Sequence, residues 1–269
     1  MRTARNQTGH VRVEGDELVD GDVPAAVVCA HCGEADCPGG CHDQMKSGVV
    51  AMVPWERPGA PALARLWATA RATTFDSERF FESLPDGPIL PALKFAVASE
   101  LIAATAMASI PVAAVAFVAP AWVGHVLLND GVLVARLLSA AIPGLASLLV
   151  AAHAVHGWAL DFGARRSGVR RATRRALRFG LYAAGWDLVI GPLGAAIVTA
   201  KEGWRASLPI AGLGIGLPGR SAAAFLRGCY HLEGEDAAPA MRASWVAAGL
   251  ATAVGAIAVL GAIAALLLA

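Results

Sequence analysis

Residues 29–42 read CAHCGEADCPGGCH and hold four of the chain's five cysteines, with His31 and His42 beside them. Cys29, Cys32, Cys37 and Cys41 are separated by two, four and three residues, so one short peptide can wrap one ion. Zinc takes four tetrahedral thiolate or imidazole ligands, and a Cys-x2-Cys pair grips it from a tight turn. Taking His42 in place of Cys41 as fourth ligand gives the two, four, four spacing of a zinc knuckle. Gly33, Gly39 and Gly40 supply the positive backbone angles such a wrap needs. The expected cofactor is structural Zn, with a redox or iron–sulfur role and unmetallated thiols as the alternatives. A disulfide framework is disfavoured on a tail that faces a reducing compartment.

A second group sits in apolar sequence. His153 and His156 are three residues apart and share a helix face. Asp187 falls in the next apolar segment, roughly 16 Å from its start at 1.5 Å per residue, where an antiparallel neighbour can bring it level with that pair. Ionisable side chains inside a span are functional candidates. A buried Asp–His pair relays protons or holds an ion; it also serves as interhelical glue worth about 0.6 kcal/mol per contact. The third group is basic: Arg165, Arg166, Arg170, Arg171, Arg174, Arg175 and Arg178 crowd GARRSGVRRATRRALRFG. Such clusters attract anionic headgroups at about 1 kcal/mol per residue near the surface, and they also fix topology.

The elements that carry these residues are not those of a water-soluble domain. The 269-residue chain is 56% hydrophobic and 16% charged, with a mean hydropathy of +0.55. Ordinary soluble domains carry about 25% charged residues. Leu101–Val123, Leu137–Leu160 and Ala243–Ala269 contain no charge at all. Each is long enough for a membrane helix, which needs about 20 largely apolar residues. Phe179–Ala200, interrupted by Asp187, and Ser207–Leu226, interrupted by Arg220, complete five expected spans near 92–119, 137–160, 177–200, 206–227 and 243–268. The fold class expected is an all-α polytopic membrane bundle, 89–269, behind a largely irregular tail, 1–60.

Between them, 61–88 reads as amphipathic interfacial helices. Leu63, Leu66, Trp67 and Ala70 recur at helical spacing, and Asp76 is placed to cap a second helix bearing Phe80 and Leu84. Glu100 and Lys94, near the first span's start, are expected to reach to the interface. Charge is divided unevenly. Residues 1–88 hold eight Lys and Arg against thirteen Asp and Glu, a net of −5, which leaves +6 on the remainder. The arginine-rich loop marks the cytoplasmic side by the positive-inside rule. Five crossings then put the N-terminal tail in the cytoplasm and Ala269 outside. The excess of Arg over Lys, with abundant Ala and Gly, fits a GC-rich bacterial coding sequence and hence an inner membrane.

RLWATARATTFDSERFFESLP ahead of an apolar span resembles the entry segment of Yip1-domain membrane proteins, which show a Trp-Thr motif and then Phe-Phe before the first helix. ALRFGLYAAGWDLVIGPLGAA and AAFLRGCYHLEGEDAAPAMRAS are further matching stretches, and the resemblance covers 61–269. It implies five spans and a cytosolic N-terminal region; the eukaryotic members are associated with vesicle trafficking and with prenylated Rab-type GTPases. The cysteine cluster is a departure from those members.

The expected function is therefore a membrane-organising scaffold whose zinc-clipped tail recruits a cytoplasmic protein while the bundle sits in the lipid bilayer. The alternative is a small transporter or ion-conducting protein using His153, His156 and Asp187. Nucleic acid is not an expected partner, because Glu34, Asp36 and Asp43 surround the cysteines and no aromatic precedes Trp55. No enzyme is expected: P-loop, HExxH and GxSxG patterns are absent, and GLGIGLPG follows no strand. Metal analysis of residues 20–60 should find one Zn²⁺ per chain; a stoichiometry near zero would remove the zinc clip.

Overall fold

The structure, a computed structural model, describes residues 52–268; Cys29, Cys32, Cys37, Cys41 and His42 lie outside them. Every element among the described residues is helical. In order these are a 3-10 turn at Pro54–Glu56, α1 (Ala62–Phe75), α2 (Ser77–Glu82), α3 (Ile89–Val118), α4 (Pro120–Asn129), α5 (Gly131–Ala164), a 3-10 turn at Arg165–Ser167, α6 (Thr173–Ala183), α7 (Gly185–Val189), α8 (Pro192–Glu202), α9 (Trp204–Tyr230) and α10 (Gly234–Leu268).

Four helical segments are long and apolar enough to cross a membrane: Ile89–Val118, Gly131–Ser167, Thr173–Glu202 and Gly234–Ala262. Their apolar surface is turned outward. Phe117 is 89% exposed and Leu128 87%, and within the most apolar 18 residues of the last segment none is buried. Contiguous apolar surface of this extent is not left to water; it fits hydrocarbon. The chain is a multi-pass membrane protein.

The count differs from the five expected. Trp204–Tyr230 is one continuous helix, but Arg205, Arg220 and Arg227 make it less apolar than the four. The third segment differs too. Its backbone breaks after Ala183 and again at Ile190–Gly191, giving three short helices in place of one rod. Pro192, expected to kink a continuous span, instead opens α8, where its missing N–H leaves nothing unpaired.

Among the described residues the main buried cluster lies where the entry segment meets the bundle. Phe81, Phe95, Phe179, Tyr182, Phe225, Leu160 and Leu226 are fully buried in one cluster, where α1 and α2 meet α3, α6, α7 and α9. Phe81 and Phe179 lie edge to face at 4.7 Å, and Phe179 stacks on Phe225 at 4.7 Å. Such pairs add about 0.5–1.5 kcal/mol beyond their buried area.

The entry segment belongs to this cluster. On α1 the buried face is Leu66, Thr69, Ala70, Thr73 and Thr74, whereas Leu63 and Trp67 of the expected stripe are exposed. Asp76 precedes α2 without a side-chain capping bond. Packing begins well before residue 61: Val53 is buried, and Trp55 Nε1 donates to the Pro91 carbonyl at 2.8 Å. Trp186 Nε1 donates to the Thr73 carbonyl at 2.8 Å, and the Tyr182 hydroxyl donates to Glu56.

Glu82, between entry segment and bundle, pairs bidentately with Arg227 on α9 at 2.9 and 2.8 Å. Hydrogen bonds from Arg227, outweighing the opposing effect of burial, hold the Glu82 carboxyl below its ordinary 4.5. A lowered folded value means the pair's contribution is complete above the unfolded value and vanishes as pH falls through the folded one. The melting temperature of the detergent-solubilised protein should thus fall more steeply below about pH 5 for wild type than for Glu82→Gln. Parallel curves would show that the pair contributes nothing.

Candidate functional site

The residue that organises the bundle interior is Glu100, on α3. It is 0% exposed and lies on a face with Ala92, Ala96, Ala103 and Ala104, all buried. Small side chains at that spacing let neighbouring helices come close, and Glu100 is the long side chain among them. The expectation that it reaches to the interface is not met, because α5 and α7 close over it. From the start of α3 and from the end of α5 the site lies at the same depth, roughly 16 Å in at 1.5 Å per residue.

His153 comes from α5. Its position is set by backbone contact between α5 and α6: a methyl group on Gly180 would overlap the His153 carbonyl, and one on Gly157 would overlap the Ala176 carbonyl. Only glycine permits this approach. Trp186 meets the His153 ring edge on at 6.1 Å. Asp187 sits next to that tryptophan on α7, the short helix made by the two breaks in the third segment.

His153 Nε2 lies 3.0 Å from Asp187 Oδ2, in hydrogen-bond geometry, and 3.2 Å from Glu100 Oε1. The second approach is out of line, so neither Glu100 oxygen has a hydrogen-bond partner. One donor atom from each of the three residues lies within 4.8 Å of the other two. Two carboxylates thus face one imidazole in a place where water reaches little: the His153 side chain is 14% exposed and Asp187 30%.

His153 and Asp187 were grouped from sequence together with His156. His156 does not join them. Three residues along a helix is a turn of about 300°, so the two rings stand roughly 60° apart. His156 faces α10 instead, with its Nδ1 2.6 Å from the Ser244 hydroxyl, and is buried between Phe179 and Trp245.

The arginines also divide. Arg166, Arg170, Arg171 and Arg174 are exposed. Arg165 pairs with Asp161 at 2.7 Å, and Arg175 Nε donates to the Leu84 carbonyl. Arg178 is not part of a basic face at all. It is fully buried, paired with Glu56 at 2.9 Å and donating to the Pro88 carbonyl at 2.8 Å. Position 178 falls on the inward side of α6, which is why its charge is enclosed rather than displayed.

One polar centre had no sequence expectation. Asp161, buried at the end of α5, accepts from Arg165, the Ala172 N–H, the Thr173 hydroxyl and the Tyr230 hydroxyl, all within 2.9 Å. It is saturated and therefore structural. Glu100 is the opposite case, a buried carboxylate without hydrogen bonds. The signal for it was the alanine face around it.

Comparison with family models, with curated proteins and with solved structures finds no match. Gly180→Val should cost roughly 3 kcal/mol, the upper range for overpacking, and appear as a lower melting temperature in detergent. Gly249→Val, with open space around it, should change little. Equal effects at the two positions would mean that the α5–α6 contact does not set the geometry.

Proposed function

We propose that the chain is a Yip1-like membrane scaffold whose bundle anchors and presents the preceding tail to a cytoplasmic protein. The observation that carries this reading is the attachment of residues 53–84 to the bundle. Trp55, Glu56, Thr73 and Glu82 each bond to α3, α6, α7 or α9. A segment that merely rested on lipid would need none of these bonds. Attached in this way, it forms a fixed platform immediately after the cysteine cluster in sequence. Zinc held by Cys29, Cys32, Cys37 and Cys41, or by His42 as fourth ligand, would shape the recruiting element beyond it.

In this reading α9 is the fifth span. Its 27 residues extend about 40 Å, more than the roughly 30 Å of a bilayer core. Arg205 and Arg227 then lie toward its two ends, and Arg220 lies nearer its middle, 3.6 Å from Glu78. The exposed Arg166, Arg170, Arg171 and Arg174 face the cytoplasm of a bacterial inner membrane, on the same side as the tail, and contact anionic headgroups.

The second reading, a transporter or ion-conducting protein, is favoured by one observation: the enclosed grouping of Glu100, His153 and Asp187. His156, held by Ser244, has no part in it.

The scaffold reading is tested in membranes with the full-length chain and a chain starting at Met52. In-membrane crosslinking should recover the same discrete cytoplasmic protein with the full-length chain and not with the shortened one. Recovery with both, or with neither, would overturn recruitment by the tail. A C-terminal topology reporter should read outside; a cytoplasmic signal would mean four crossings.

A further inference from the structure

We propose that Glu100, His153 and Asp187 are ligands of a divalent transition-metal ion held inside the bundle. The inference deepens the second reading above and rests on it only for the premise that the cluster receives a cation.

Charge is the first reason. With both carboxylates ionised, the cluster has an excess negative charge even when the imidazole is protonated, and a bound cation would balance it. Glu100 is enclosed where no water reaches, with neither oxygen accepting a hydrogen bond and Oε1 3.2 Å from His153 Nε2. Buried charges are paired or coordinate metals, and buried polar atoms without hydrogen bonds are exceptions that need a cause. Asp161 shows how a buried carboxylate of this chain is met by protein donors alone, with four of them closed around it.

Spacing is the second reason. His153 Nε2 stands 3.0 Å from the Asp187 oxygen and 3.2 Å from the Glu100 oxygen. Metal–ligand bonds of about 2.0–2.1 Å put neighbouring donors about 2.9–3.4 Å apart in an octahedral or tetrahedral shell. The two donor pairs that include His153 already have that spacing, and the two carboxylates stand within 4.8 Å of each other.

Donor type selects the ion. An imidazole nitrogen argues against Ca²⁺ and Mg²⁺, which take oxygen shells, and the lack of sulfur in the group argues against Cu⁺. One nitrogen and two carboxylates suit Mn²⁺, Fe²⁺ and Zn²⁺. Three protein ligands leave the rest of the shell to solvent, the pattern of an exchangeable site.

The experiment uses the full-length protein in detergent, stripped with chelator and titrated with Mn²⁺ alone. Mn²⁺ favours oxygen and nitrogen ligands over the thiolates of the tail. Electron paramagnetic resonance should show one bound Mn²⁺ per chain with hyperfine coupling to one imidazole nitrogen. His153→Gln should remove the coupling, and Glu100→Gln should weaken binding at least tenfold. His156→Gln should leave both unchanged.

Thermal melting separates a ligand role from a packing role. Mn²⁺ should raise the melting temperature of wild type in a concentration-dependent way and leave Glu100→Gln unmoved. In the metal-free state Glu100→Gln should melt at or above wild type, because it removes a buried carboxylate that accepts no hydrogen bond. No binding at millimolar Mn²⁺, or binding indifferent to Glu100→Gln and His153→Gln, would overturn the site. Bound metal without flux in reconstituted vesicles supports the site and removes the transport reading; proton flux without metal binding overturns the site and leaves transport standing.

Discussion

Two helices touching backbone to backbone fix most of what lies inside this bundle. Gly157 on α5 and Gly180 on α6 leave no room for a side chain between them. That contact aims His153 at α3 and α7, and it brings Phe179 against His156 at 5.8 Å. It also leaves α6 with an inward side on which Arg178 and Tyr182 are enclosed rather than displayed. Close helix approach through small residues is the usual solution where lipid, offering no hydrophobic contrast, cannot press helices together. Here the resulting geometry gathers charge as well as apolar surface.

Charge is handled by enclosure at several points. Arg178 is matched by Glu56 and a carbonyl, Asp161 by four donors, and Glu82 by Arg227 on a half-exposed surface. Breaking a buried pair from one side costs about 3–5 kcal/mol, because the remaining charge is stranded. The same rule makes Glu100 conspicuous: it is enclosed like the others and, unlike them, lacks a hydrogen-bonding partner.

Composition and charge-free runs were enough to reveal an all-helical membrane chain, since hydrocarbon imposes a length and a polarity on whatever crosses it. The juxtaposition of His153 and Asp187 was legible too, from the depth of each in adjacent antiparallel segments. What a linear pattern could not carry was azimuth. His156 points to Ser244 and Arg178 points inward because of a rotation about a helix axis that neighbours decide. Glu100 escapes a linear pattern for a related reason: a charge near a span's start looks free to reach water until the helices covering it are known. The breaks that make α7 a separate helix arise at Ala184 and Ile190–Gly191, within a run whose apolar composition alone reads as continuous.

The attachment of the front segment has a bearing on biosynthesis. Glu56 and the tyrosine that donates to it are 126 residues apart, so at about 5–20 residues per second the ribosome needs roughly 6–25 s to deliver the second after the first. During that interval Trp55 has Pro91 and Phe95 of α3 to meet, and the nascent chain must keep its other apolar groups solvated or shielded beside the translocon. Maturation of the amino-terminal portion is therefore post-insertional: it seats itself only after the third long helical segment has emerged.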